Sequence, residues 1–361
     1  MNRFMPQLSR EELWSVVDPR LTDPGVVAVM EQIFELVRTG WQGDASIDLR
    51  APLMRRYLSD HRLWLLLPVD AVRPLVQPEV KHRQVAILAT QMRLRSVATD
   101  VLDHFESEAI DSRVLKGLAT GELDYPNPLL RHTGDVDLAV RPERLDDAVR
   151  VLHAHGYKDH YERFSPYLRY GSTLKAPNGA EIDLHTRLSR RSPVTDRLFQ
   201  DPGSALSLLP GKALCSAHRL VHASGHFLIS PPGTRRLSGL LDVTRIHGRD
   251  DLDLDEARRF SAALGIESLV GAGLMVEAML SKRTDVIEKL DNWKEPDWLE
   301  RNTRLVPERR LLLDHFGRYR EVPRGQRLRY LPAWLLPSRS QRQLLTNSVR
   351  KTAARALRRT R

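Results

Sequence analysis

Three carboxylates and one short basic turn have the residue types and spacing that chemistry needs. Asp135 and Asp137 stand two apart in Gly134-Asp135-Val136-Asp137-Leu138-Ala139-Val140, and Asp183 lies in Glu181-Ile182-Asp183-Leu184-His185. Side chains alternate along an extended strand, so Asp135 and Asp137 share one face while Val136, Leu138 and Val140 share the other. Asp183 and His185 share a face in the same way. Like charges held close raise one another's pKa unless a cation lies between them. Oxygen-only ligands favour Mg²⁺ or Mn²⁺ over zinc, and Mg²⁺ takes one or two carboxylates plus substrate phosphates. Two such ions, roughly 3.5–4 Å apart, would clamp the attacking and leaving oxygens of an in-line phosphoryl displacement.

The phosphates themselves need a cradle, and Lys116-Gly117 is the candidate. A glycine lets an anion approach the backbone, a helix N-terminus offers free amides, and lysine adds a point charge. Arg131, four residues before Asp135, has the reach to touch the same anion. A D-x-D pattern alone is common at exposed strand ends, and glycosyltransferases also use it to hold a nucleotide-sugar diphosphate through a divalent ion. A third reading is a copy without catalysis that serves as a binding or scaffold module.

The elements that position these residues are legible from periodicity. Arg113-Val114-Leu115 reads as a short strand running into Lys116-Gly117, with a short helix over Leu118–Leu123. Asp124–Gly134, broken by Pro126 and Pro128, reads as a loop before the strand that carries Asp135 and Asp137. Pro142 suits a first helical position, the stripe Leu145, Ala148, Val149 and Leu152 follows, and Gly156 can end that helix. Asn178-Gly179 predicts a two-residue hairpin turn ahead of the Asp183 strand. Upstream, Ser9 and Glu12 form a capping-box pattern, Val26–Val37 is apolar-rich, and Leu94, Val97, Val101 and Phe105 mark one helix face. The pattern is helical again from Gly211 to about Leu290, and Trp293–Trp298 reads as a linker. The expected organisation is α+β: residues 1–110 a helical region, 111–200 an α/β core with a small mixed sheet, 201–300 a helical domain, and 301–361 a basic tail, partly helical or disordered.

The ordered series Val114-Leu115-Lys116-Gly117, Arg131, Gly134 to Val140, His155-Gly156-Tyr157 and Glu181 to His185 resembles the uncharacterised nucleotidyltransferase family of the DNA-polymerase-β-like superfamily. Cys215-Ser216-Ala217-His218, His222, His226 and Leu240-Leu241-Asp242 resemble that family's helical half, so the likeness spans roughly residues 112–280. The resemblance implies that Asp135 and Asp137 bind metal ions, and that Asp183 completes a catalytic triad and helps activate an acceptor hydroxyl. It implies a nucleotide held around Lys116, Gly117, Arg131, Gly134 and His185, with ATP or another NTP as donor and Mg²⁺ or Mn²⁺ as cofactor. Lys116-Gly117 stands where the superfamily usually has Gly-Ser. His185 would orient the acceptor or Asp183, or simply pack at a strand end.

Other features are weaker. His218, His222 and His226 recur every four residues and line one helical face, but no H-E-x-x-H accompanies them. Asp242 is placed to bond to that row. Cys215 is the single cysteine, which excludes an internal disulfide and fits a small core residue in a reducing cytoplasm. The net charge of +10 is uneven: residues 301–361 hold 17 basic and 3 acidic side chains, leaving the first 300 mildly acidic. Arg327, Tyr330, Trp334 and Arg339 followed by the cations of Arg350–Arg361 suit an anionic membrane surface or a protein contact, and nucleic acid ranks below both because no recognition motif accompanies the charge. No apolar run approaches the ~18 residues of a membrane span, and Met1–Arg10 lacks the apolar stretch of a secretory signal, so the expected location is cytoplasmic, at most peripheral to the membrane's inner face.

Overall fold

The computed structural model describes residues 10–18, 21, 24–39, 52–72, 74–160, 171–188, 195–229, 235–283, 286, 290 and 293. The basic tail and Ser9 lie outside them. Among the described residues seven strands make one mixed sheet: β1 (Ser112–Val114), β2 (Val136–Val140), β3 (Lys158–Asp159), β4 (Gly171–Lys175), β5 (Glu181–His185), β6 (Ser204–Ala205) and β7 (Lys212–Ala213). Their order is β3-β4-β5-β2-β1-β7-β6. β2 runs parallel to β5 and β1 parallel to β7, while the other pairs are antiparallel. β2 is buried at every position, as a strand covered on both faces must be.

The helices are α1 (Arg10–Val17), α2 (Pro24–Thr39), α3 (Pro52–Asp60), α4 (Gln77–Ser107), α5 (Lys116–Asp124), α6 (Leu145–Ala154), α7 (Thr195–Gln200), α8 (Ser216–Ile229), α9 (Leu237–His247), α10 (Leu254–Ala263) and α11 (Glu267–Leu280). The arrangement is α+β with helical flanks. Val136, Leu138 and Val140 pack with the α4 stripe Leu94, Val97, Val101 and Phe105 and with Ala148 and Leu152 of α6. Ala139, on the other face, packs with Leu220 and Val221 of α8, Val243 of α9 and Phe260 of α10. A third cluster joins Trp14, Ile33 and Leu58 to Phe227, Leu240 and Val276, so the N-terminal helices and the later ones share a core. Each such fully buried large apolar side chain contributes roughly 1.5–3 kcal/mol.

Local differences from the periodicity have physical reasons. α5 begins at Lys116, two residues earlier than its apolar stripe suggests, because Leu115 is still extended and serves as its cap. Pro142 opens a 3₁₀ turn, Pro142–Arg144, that leads into α6, and Gly156 ends the helix at φ 82°. The hairpin turn is not the two-residue type. Pro177 locks its own φ negative, so Gly179 alone takes a positive φ of 83° and its N–H donates to the Ala176 carbonyl at 2.8 Å. Asn178 contributes its side-chain oxygen, which accepts from the Ala180 N–H at 3.1 Å. Trp293, expected in a linker, is buried against the α8–α11 core. No helix among the described residues is long and apolar enough to cross a membrane.

Candidate active site

The parallel register of β2 and β5 sets Asp137 beside Asp183 and Ala139 beside His185. Alternation then turns Asp137, Asp183 and His185 away from the α4–α6 layer, toward the helical half. Asp137 is 3% exposed, and its Oδ1 accepts from Lys116 Nζ at 2.5 Å and lies 2.7 Å from His185 Nε2. Facing a carboxylate, that nitrogen carries the proton and donates. Burial alone would push the Asp137 carboxyl up, but the Lys116 ammonium and the His185 bond outweigh it and hold the group well below the usual carboxylate range. Burial would likewise depress Lys116, yet Asp137, Asp135 and Asp183 raise it above its ordinary value. Asp135, one residue ahead of β2, is pushed up by burial and by Asp137, against the pull of Lys116 and Arg62.

Asp137, Asp183 and His185 each offer a ligand atom, and these atoms lie within 4.8 Å of one another. Asp183 Oδ1 is buried with no hydrogen-bond partner. Two carboxylates, one with an orphaned oxygen, fit a hard divalent cation. The expected grouping differs in detail: Asp135 falls outside this close set, and His185 bonds Asp137 rather than Asp183. The Lys116 ammonium already supplies counter-charge among the acids, so the lysine expected to reach a phosphate is tied to a carboxylate.

The turn carrying Lys116 is fixed by the sheet. Leu115 N–H donates to the Asp137 carbonyl at 2.9 Å, and Lys116 then takes φ 43°, a left-handed conformation that costs a non-glycine residue. Gly117 is required for packing: a Cβ there would stand 2.5 Å from Thr133 Oγ1. Thr133 fills the space its missing side chain leaves, while Gly117 itself lines the cleft beside Lys116. At Gly134 a Cβ would stand 2.7 Å from Arg62 Nη2, so this glycine admits an arginine from the N-terminal region.

Arg131 is also committed. Its Nε and Nη2 donate to Asp242 Oδ1 and Oδ2 at 2.7 and 2.6 Å, its Nη1 donates to the His132 carbonyl, and Tyr125 Oη donates to Asp242 Oδ1 at 2.9 Å. The fork therefore joins α9 to the segment leading into Asp135 and does not offer a free anion contact. Asp242, in turn, bonds Arg131 and Tyr125 rather than the histidine row. That row divides: His222 and His226 line the cleft, whereas His218 stacks on Phe260 and its Nε2 lies 3.1 Å from Glu256. Burial and Lys116 hold His222 well below the usual imidazole range, so that ring is neutral. Cys215 precedes α8 half-buried, its thiol bonded to Asp201 and pushed up to about 12 by burial and that carboxylate.

Two cleft residues are not singled out by the sequence pattern. Arg62 and Arg236 line the same pocket as Lys116, Asp135 and Asp137. The local hint for Arg62 is its place directly after Asp60-His61 at the end of α3, where a helix usually closes on glycine or asparagine.

Paired acids on adjacent parallel strands, a lysine turn beside them and a helical wall opposite make up one polar site. The chain belongs to the uncharacterised nucleotidyltransferase family, whose model matches residues 51–280. It is a nucleotidyltransferase by that membership. The solution structure of the antibiotic-resistance factor ANT(2'')-Ia is similar to it at 13% identity and a TM-score of 0.33, over 55% of this chain and 97% of that one. An overlap that loose says nothing of substrate. No curated protein matches the chain.

Proposed function

We propose that the chain transfers the NMP group of an NTP, in the first instance AMP from ATP, to an acceptor hydroxyl with release of pyrophosphate. The observation that supports this most is the register that sets Asp137 beside Asp183 with one Asp183 oxygen left unpartnered. Asp137 and Asp183 would hold Mg²⁺ or Mn²⁺, with Asp135 at the margin of the group. When bound, the metal supplies Lewis acidity to the phosphate oxygens and compensates charge that develops on them.

The chain's own residues do the rest. His185 donates from Nε2 to Asp137 and fixes the orientation of that carboxylate. Lys116, 2.5 Å from the same oxygen, keeps Asp137 ionised despite its burial. Asp183 accepts the proton of the acceptor hydroxyl as its oxygen bonds to the α-phosphorus and the bond to pyrophosphate breaks. Phe227 and Ala223, which line the cleft beside the acids, limit the entry of water. In this reading residues 111–200 are the catalytic core and the helical regions on either side complete its walls.

The test is incubation with each NTP labelled in its α-phosphate, together with size-fractionated lysate as the acceptor source. Label is expected in one fraction with matching pyrophosphate release; labelled nucleoside diphosphate without labelled acceptor would instead mark γ-phosphoryl transfer or hydrolysis and overturn the proposal. Asp137→Asn is expected to lower turnover by about 10²-fold or more, with an unchanged circular dichroism spectrum. Retained turnover would remove Asp137 from the mechanism.

A further inference from the structure

Five cations line the cleft, and three are already engaged. Lys116 is paired with Asp137, Arg131 with Asp242 and Arg219 with Asp124. Arg62 and Arg236 are not: among the described residues neither guanidinium has a hydrogen bond or an ion pair, and both, Arg62 half-buried and Arg236 exposed, stand with Asp135 in the same pocket. A half-buried guanidinium such as that of Arg62 gains by pairing, and the fork of either arginine is suited to the oxygens of a phosphate.

The backbone argues the same way. Arg62 sits at φ 59°, two residues after α3, in a turn where its N–H donates to the Ser59 carbonyl at 3.1 Å and the Leu63 N–H donates to the Leu58 carbonyl at 2.9 Å. This is the helix-closing position at which glycine is unstrained. An arginine is kept there, and Gly134 lacks the side chain that would displace it. Strain held at a position facing a pocket points to a use for the side chain.

A single joint positions both arginines. His61 is buried, stacks on Tyr57 and has its Nε2 3.5 Å from Asp18. Its Nδ1 accepts from the Leu237 N–H and its carbonyl from the Ser238 N–H, both at 3.3 Å. The turn carrying Arg62 is thereby tied to the start of α9, where Arg236 is the cap residue. Those two amides are consumed by His61, so side chains must hold any anion there. The local field is strongly positive: burial together with Arg62, Arg131 and Arg236 depresses the neighbouring His132 to about 4, and burial with Arg236 and Arg131 lowers Arg62 to about 10.

We infer that Arg62 and Arg236 form a polyphosphate clamp, contributed by the helical regions on either side of the catalytic core, that grips the leaving pyrophosphate portion of the NTP. This rests on the reading of the site as an NMP transferase. It moves the phosphate-binding role from the Lys116-Gly117 turn, whose charge is engaged by Asp137, to a pair of residues 174 positions apart in the chain.

Equilibrium titration of the full chain with Mg²⁺-ATP and with Mg²⁺-tripolyphosphate tests it, because tripolyphosphate has the phosphates without base or sugar. Arg62→Gly removes the guanidinium and relieves the backbone strain; it is expected to weaken both ligands about tenfold or more without lowering Tm. Arg236→Gln is expected to weaken both similarly, and Arg259→Gln, at an exposed site on α10, to leave both unchanged. Wild-type affinities in the Arg62 and Arg236 variants overturn the clamp while leaving the transferase reading intact. A fall in the Tm of Arg62→Gly that matches its lost affinity assigns the residue to folding and also overturns the clamp. A wild-type chain that binds no NTP overturns the transferase reading itself.

Discussion

Asp242→Asn is the sharpest probe of how the helical half holds the catalytic strand. The substitution keeps the volume and removes only the charge, so cavity effects drop out. Asp242 accepts three bonds, two from Arg131 at 2.6 and 2.7 Å and one from Tyr125 at 2.9 Å, and the Arg131 and Asp242 side chains are 10% and 7% exposed. Breaking a buried pair from one side leaves an uncompensated charge and costs roughly 3–5 kcal/mol. At about 2–4 °C per kcal/mol for a unit of this size, Tm should fall by about 6–20 °C. Arg131→Met should cost a similar amount, because it strands the carboxylate. The double variant should be more stable than the sum of the single effects implies by about 2 kcal/mol or more. Urea unfolding followed by circular dichroism measures all four corners of the cycle. A loss below about 1 kcal/mol for Asp242→Asn, or strictly additive single effects, would refute the argument that this pair fastens α9 to the segment entering β2.

Two further outcomes follow from the site's packing and protonation. Gly117→Ala should destabilise by about 1–3 kcal/mol through the 2.5 Å approach to Thr133 Oγ1, and adding Thr133→Ala should restore most of it, as chemical denaturation can show. Burial first, then neighbouring cations, keeps His132 at about 4, whereas the unfolded imidazole titrates near 6.5. Below pH 6.5 the unfolded chain therefore binds more protons, so stability present above that pH is lost as pH falls toward 4, and His132→Gln should flatten the curve.

The residues themselves announce the strands and the long helix. Alternation in Val136 to Val140 and Glu181 to His185 is a property of each segment alone, as is the apolar stripe of α4, and the structure realises all three. Partnerships are not legible in that way. Nothing local says that Arg131 will turn to Asp242, 111 positions away, instead of toward a ligand, or that Lys116 will sit on Asp137. These pairings are decided by which strands adjoin and which helix covers them. The turn at Asn178-Gly179 shows a milder failure: the dipeptide signal was sound, but Pro177 just before it restricts φ and selects another turn geometry. Arg62 and Arg236 escape notice because single arginines near helix ends are ordinary in sequence and acquire meaning only from their shared cleft.

The parallel pairing of β2 with β5 also has a consequence for timing. A parallel partner needs a crossover connection, so the chain must continue through α6 and the β4–β5 hairpin before the second acid arrives beside the first. No nascent or clipped fragment that stops short of residue 183 can assemble the pair. In the proposed mechanism a polypeptide still emerging from the ribosome therefore lacks its paired acids until residue 183 has joined the sheet.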